Sequence, residues 1–168
     1  MDKLKVQITN MQKDAKIPTG IRLLIRKCCH AVLQLEEMHG NFEVSVSFVD
    51  LDQIHKLNAE YRHKDMPTDV LSFPSGPVGE FDVNEETGAT MLGDIAICVQ
   101  KVYEQAAQFG HSIQREFAYL TVHSMLHLMG YYHEAGGLEQ VRMREREEEI
   151  LSRLGLQRDI SYVLPEED

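Results

Sequence analysis

The segment from Ser112 to Met129 sets the tightest limit on how this chain can fold. Within it Ile113, Phe117, Leu120, Val122, Met125, Leu126 and Met129 recur at helical spacing and leave little polar surface. A helix that is apolar on most sides must be surrounded, so it should run through the interior with other elements packed around it. The same helix carries His123 and His127, four residues apart and therefore stacked on one face. Two imidazoles in such a setting need partners.

The rest of the chain supplies elements to surround it. Leu4, Val6 and Ile8 alternate with polar residues, as do Phe42, Val44, Val46 and Phe48, and each set predicts a half-buried strand. Val70–Phe73 and 91–97 predict two more strands, the first stopped by Pro74. Helices are expected over 19–37, from Asp50 through Tyr61, and over 98–109, 112–129 and 138–154. His39-Gly40 should end the first of these, and Asp50 should cap the second. In the last, Leu138, Val141, Ile150 and Leu154 form the expected apolar side and the charged residues a solvated one. Residues 74–90 hold three glycines, two prolines and four acidic residues, and read as a long loop. The order predicts an α+β (mixed α/β) fold: a small four-stranded mixed sheet with about five helices, the histidine helix central. At 168 residues a single domain spanning 1–168 is expected.

Composition narrows the function classes. With 43% apolar and 26% charged residues the chain is ordinary globular material, not a disordered or collagenous one. No apolar run approaches a membrane span, and the first residues alternate instead of forming a signal-peptide core. Three cysteines, two of them adjacent, do not make a disulfide framework and suit a reducing cytosol. Cys28 and Cys29 are expected in the core. The net charge is −10, yet residues 1–30 hold seven basic and two acidic residues, a local +5 against −15 for the remainder. The overall sign disfavours loose nucleic-acid binding and leaves room for a basic surface near the first helix.

The chemistry concentrates in His123-Ser124-Met125-Leu126-His127-Leu128-Met129-Gly130-Tyr131-Tyr132-His133. Gly130 can take the left-handed conformation that ends a helix, and His133 can then swing back toward His123 and His127. Three converging imidazoles with no fourth protein ligand nearby describe an open, catalytic metal site. Zinc is the expected metal, one per chain, and imidazole also suits other divalent transition metals. The spacing equals that of the metzincin proteases, but Ser124 stands where their general-base glutamate would be. A neutral serine cannot fill that role.

Three motifs together resemble the YbeY endoribonuclease family. The histidine run is similar to that family's H-G-x-L-H-L-x-G-Y-D-H. Tyr61-Arg62-His63-Lys64-Asp65-Met66-Pro67-Thr68-Asp69-Val70-Leu71-Ser72-Phe73-Pro74 resembles its second motif, and Gly93-Asp94-Ile95 its third. The motifs stand in the family's order and span the chain. Ser124 and Tyr132 depart from the pattern, replacing a glycine and an aspartate. The resemblance implies a cytoplasmic, metal-dependent, single-strand-specific endoribonuclease of ribosomal RNA 3′-end maturation and ribosome quality control. It implies zinc held by His123, His127 and His133, with His123 and Arg62 as the catalytic residues. Implied partners are ribosomal RNA precursor and the ribosome or its proteins, with no membrane and no DNA.

Arg62 also has a case on physical grounds. RNA cleavage builds negative charge on phosphorus, and a guanidinium offers two parallel donors to phosphate oxygens. Thr68-Asp69 reads as an Asx-type turn, Asp94 as a residue that orients a ligand histidine or a loop, and the acidic loop 80–86 as a gate. Two other functions compete: a zinc hydrolase of another substrate such as a peptide, and a non-catalytic ribosome-assembly factor with a structural metal.

Overall fold

A computed structural model describes residues 2–131 and 137–156. Four strands and five helices follow in the order β1 (Lys3–Asn10), α1 (Ile21–Leu35), β2 (Asn41–Val49), α2 (Leu51–Arg62), β3 (Val70–Pro74), β4 (Thr90–Cys98), α3 (Val99–Phe109), α4 (Ile113–Leu128) and α5 (Gly137–Arg153). The sheet order is β1-β2-β4-β3. The first three of these run parallel, and β3 closes one edge antiparallel to β4. The expected α+β architecture is therefore present, with its four-stranded mixed sheet and five helices. Among the described residues no helix is long and apolar enough to cross a membrane.

Local chemistry explains the boundaries. Asp50 forms a full capping box with Gln53, so α2 starts there. The Ser112 hydroxyl accepts from the Arg115 amide and starts α4. α1 starts two residues later than its apolar pattern suggests because Gly20 sits at φ 89°, outside helical space. It ends at Leu35, ahead of the expected His39-Gly40 stop. Asp2 then holds that stop, accepting from the Gly40 amide and pairing with His39 Nδ1. Pro74 tolerates its place in β3 because β3 is an edge strand.

The strand alternation sorts two faces. Val44, Val46, Phe48, Leu92, Ile95 and Ile97 join the main core with α1 and α4. Val49, Leu71, Ala96 and Cys98 face the other way, toward Ile54 of α2. Phe48 and Phe117 meet edge to face at 5.8 Å, locking β2 to α4. Cys28 and Cys29 are fully buried, as expected, and burial pushes the Cys28 thiol up to about 12 and that of Cys29 higher still.

α5 seals α4 with only part of the expected side: Ile150 is buried and Leu154 packs against the core, as expected. Leu138 and Val141 are exposed, and Met143, Glu147, Ile150 and Leu151 point inward. The inward face includes a carboxylate, which is why apolarity alone misplaced it. The Arg115 guanidinium, 3% exposed, pairs with Glu148 and donates to the Leu156 carbonyl, fixing the end of α5 against the start of α4.

Gly93 is required by the sheet. A bulge between β2 and β4 leaves Leu92 without a partner and sets Gly93 at φ 147°. A Cβ there would lie 2.3 Å from the Phe73 carbonyl oxygen and 2.9 Å from the Pro74 Cα. Gly93→Ala is therefore expected to cost roughly 2–4 kcal/mol. In thermal denaturation the midpoint should fall by roughly 5–15 °C.

Candidate metal centre

α4 presents His123 and His127 on the flank that leaves the core, toward a cleft of about 770 Å³. The opposite wall comes from the end of α2, the following turn and β3, and includes Arg62, Lys64, Asp69 and Ser72. Two of the three expected ligands and the expected phosphate-binding arginine thus share one cleft, although about 60 residues of chain separate them. His133 lies outside the described residues, as do Tyr132 and Glu134. Among the described residues no three metal-ligating side chains converge on one point.

The two described histidines have the chemistry of a ligand pair. Their Nε2 atoms approach to 3.0 Å, and their rings meet nearly edge to face at 4.5 Å. On the far side of its ring, His123 Nδ1 meets the Glu147 carboxylate at 2.5 Å. A carboxylate only accepts, so Nδ1 carries the proton and Nε2 presents its lone pair toward His127. A carboxylate behind a histidine is the usual way a protein fixes the tautomer and ring orientation of a metal ligand. Glu147 is 5% exposed, and His123 is its partner in an otherwise charged helix. The residues present therefore fit a divalent metal held by imidazoles.

Glu147 is the functional residue that the sequence reading missed, because its neighbours Arg144, Glu145, Arg146, Glu148 and Glu149 hide it in a charge run. One signal was available. Met143, Ile150 and Leu151 lie at helical offsets of −4, +3 and +4 from position 147 and place it on an apolar stripe.

Arg62 is the last residue of α2 and is exposed. Its Nη2 donates to the Ser72 carbonyl, and its guanidinium lies 5.1 Å from the Phe73 ring centre. These contacts hold the side chain against β3, and its other donors have no partner among the described residues. Asn58, 3% exposed, secures the next turn by donating from Nδ2 to the Met66 carbonyl at 2.8 Å.

Asp69 is a structural residue, as its turn context suggests. One carboxylate oxygen accepts from the Val70 amide at 2.7 Å, the other from Gln105 Nε2 at 3.2 Å. Gln105 also donates to Glu116, which in turn meets His111 Nε2 at 2.6 Å. Tyr119 lines the cleft beside His123. Burial, with Glu147 nearby, pushes its phenol up to about 12, so it is a neutral donor at physiological pH.

The structure also places Asp94, the acidic loop and Ser124. Asp94 is exposed and alternates with Ile95 and Ile97 of the main core, so it points away from the histidines and orients neither of them. The acidic loop does not line the cleft among the described residues. Asn84 and Thr87 donate to Glu43 at 3.0 Å each, and Ser75 bridges to the Met91 carbonyl and the Asp82 amide. These bonds pin the loop to the β2 and β4 end of the sheet. Ser124 is fully buried with its hydroxyl unpartnered among the described residues, on the core side of α4. It takes no part in the cleft, which removes the position where a metzincin-type base would act.

Comparison with known proteins agrees with this geometry. The family model described as Endoribonuclease YbeY matches residues 7–155. An Endoribonuclease YbeY of Thermoanaerobacter sp. (strain X514) is 45% identical over 161 residues, covering 92% of this chain and all of the relative. One from Chloroflexus aurantiacus is 48% identical over 136 residues, covering 81% of this chain and 88% of the relative. The solution structure of a Thermotoga maritima protein superposes with a TM-score of 0.54 at 26% identity, covering 89% of this chain and 91% of that one. The chain belongs to the YbeY family of endoribonucleases.

Proposed function

We propose that residues 1–168 form one zinc-dependent, single-strand-specific endoribonuclease domain that acts in ribosomal RNA 3′-end maturation and ribosome quality control in the cytoplasm. The observation that carries this reading is the shared cleft, in which paired imidazole nitrogens at 3.0 Å face the wall that bears Arg62. His123 and His127 would hold the metal with His133. When bound, a divalent ion supplies a water of lowered pKa near neutral pH and polarises a phosphate oxygen.

The chain's own residues supply the rest. Glu147 holds the proton on His123 Nδ1 and keeps Nε2 available. Arg62 docks a phosphate through the donors left over from its bond to Ser72, and it stabilises charge that develops on phosphorus. Tyr119, a neutral phenol, donates hydrogen bonds and removes no proton. Both Asp69 oxygens accept hydrogen bonds from the fold, so Asp69 shapes the wall.

The deciding experiment is cleavage of a labelled single-stranded RNA that resembles the 3′ end of small-subunit ribosomal RNA precursor, with bound metal quantified in parallel. His127→Ala should lose metal and lower cleavage by at least about 100-fold. Equal cleavage by both proteins would show the activity to be metal-independent or foreign. Metal-loaded wild type that leaves RNA intact would favour an assembly factor with a structural metal, and peptides cut instead of RNA would favour another hydrolase.

Two further outcomes follow from the same geometry. Arg62→Lys keeps the charge but loses the planar fork, so kcat should fall roughly 10- to 100-fold with little change in bound metal. Glu147→Ala should weaken zinc affinity roughly 10- to 100-fold in chelator competition, with helical content unchanged by circular dichroism.

A further inference from the structure

An acidic chain that cuts RNA must gather its polyanionic substrate somewhere. Resting on the endoribonuclease reading above, we propose that Lys13, Lys16, Arg22, Arg26 and Lys27 form a docking surface for the phosphate backbone of single-stranded RNA that extends beyond the cleft.

All five side chains are exposed. Among the described residues none has an ion-pair partner. Five cations elsewhere are paired locally: Lys56 with Asp52, Lys101 with Glu104, Arg115 with Glu148, Arg146 with Glu36 and Arg153 with Glu149. Asp14 is the sole carboxylate between residues 11 and 30. The outward stripe of α1 places Arg22 and Arg26 one turn apart with Lys27 beside them, and Leu23 stands exposed among them at 57%. Cations without ion-pair partners among the described residues, two of them arginines, suit the phosphates of a flexible polyanion.

The sheet brings this patch to the same end of the molecule as one rim of the cleft. Asn10 pairs with Phe48, Phe48 with Ile97, and Ile97 with Val70, in one row across the sheet. That row spans three strand spacings, about 15 Å. Lys13 and Lys16 follow β1 at its near end, and the Arg22 guanidinium lies 5.9 Å from the Phe48 ring centre. At the far end Asp69 and Val70 line the cleft. α3 ties the two together: its Tyr103 hydroxyl donates to the Lys16 carbonyl at 2.7 Å, and its Gln105 donates to Asp69 at 3.2 Å. A strand several nucleotides longer than the cleft can therefore engage both.

The test compares the wild-type enzyme with the triple variant Arg22→Glu, Arg26→Glu, Lys27→Glu. Binding of a 2′-O-methyl RNA of about 20 nucleotides is followed by fluorescence anisotropy across salt concentrations. Cleavage of an unmodified RNA of the same length and of one of about 5 nucleotides is followed in parallel. The variant should bind the long strand at least 10-fold more weakly at low salt. Its slope of log K against log salt should be shallower by about 2, since each contact on a single strand contributes roughly 0.7. Cleavage of the short RNA should stay at the wild-type rate, which also reports that the variant is folded. The neutral variant Arg22→Gln, Arg26→Gln, Lys27→Gln should move affinity and slope in the same direction by less. Unchanged affinity and slope in a variant that still cuts the short RNA overturn the proposal. So does unchanged RNA affinity with lost binding to a ribosomal protein. Wild type that binds and cuts neither RNA overturns the endoribonuclease reading itself.

Discussion

Burial of α4 on nearly every side is the constraint from which the rest of this structure follows. A polar side chain inside a protein costs free energy unless another group meets it. α4 carries several such groups, and neighbouring elements answer most of them. α5 supplies Glu148 for Arg115 and Glu147 for His123. α3 supplies Gln105 for Glu116, and the α3–α4 turn supplies His111. Thr121 is satisfied within the helix by the Phe117 carbonyl. Each bond both stabilises the helix and fixes the position of a neighbour, so the polar residues of α4 decide where α3 and α5 dock.

That arrangement also builds the site. The flank of α4 that escapes burial is the one bearing His123 and His127, and β3 with the end of α2 stands opposite it. Glu147 serves two purposes at once. It satisfies a buried imidazole nitrogen and turns the other nitrogen of the same ring toward His127. The Asp69–Gln105–Glu116 chain performs a similar service for the far wall, joining β3 to α3 and α4 through side chains. A cleft supported this way keeps its walls in register, which placing a phosphate between Arg62 and the histidines requires.

Of the two departures from the family pattern, Ser124 is among the described residues and Tyr132 is not. Ser124 is fully buried, its CH2OH group standing where glycine has a hydrogen, and it does not line the cleft. The acidic loop is anchored to the sheet through Glu43 and Ser75. The excess of negative charge is not spread evenly either. It leaves α1 and the loop before it as a basic surface at the end of the molecule that Asp69 and Val70 share with the cleft.

Much was legible in the sequence for a simple reason: strand alternation, helical spacing, the Asp50 cap and the i, i+4 histidines are local patterns that local geometry reproduces. The motifs fixed the family by the same route. Tertiary structure alone decided that Glu147 joins Ile150 on the buried side of α5, because a buried carboxylate looks like a solvated one until its histidine partner is known. It alone decided that Asp94 faces away from the histidines and that Arg62 faces them, since facing across a cleft depends on sheet order and not on sequence distance. The sequence by itself offered the candidate residues; packing around α4 determined which of the described ones meet, because a buried polar group accepts only the partner that the fold brings within hydrogen-bond reach.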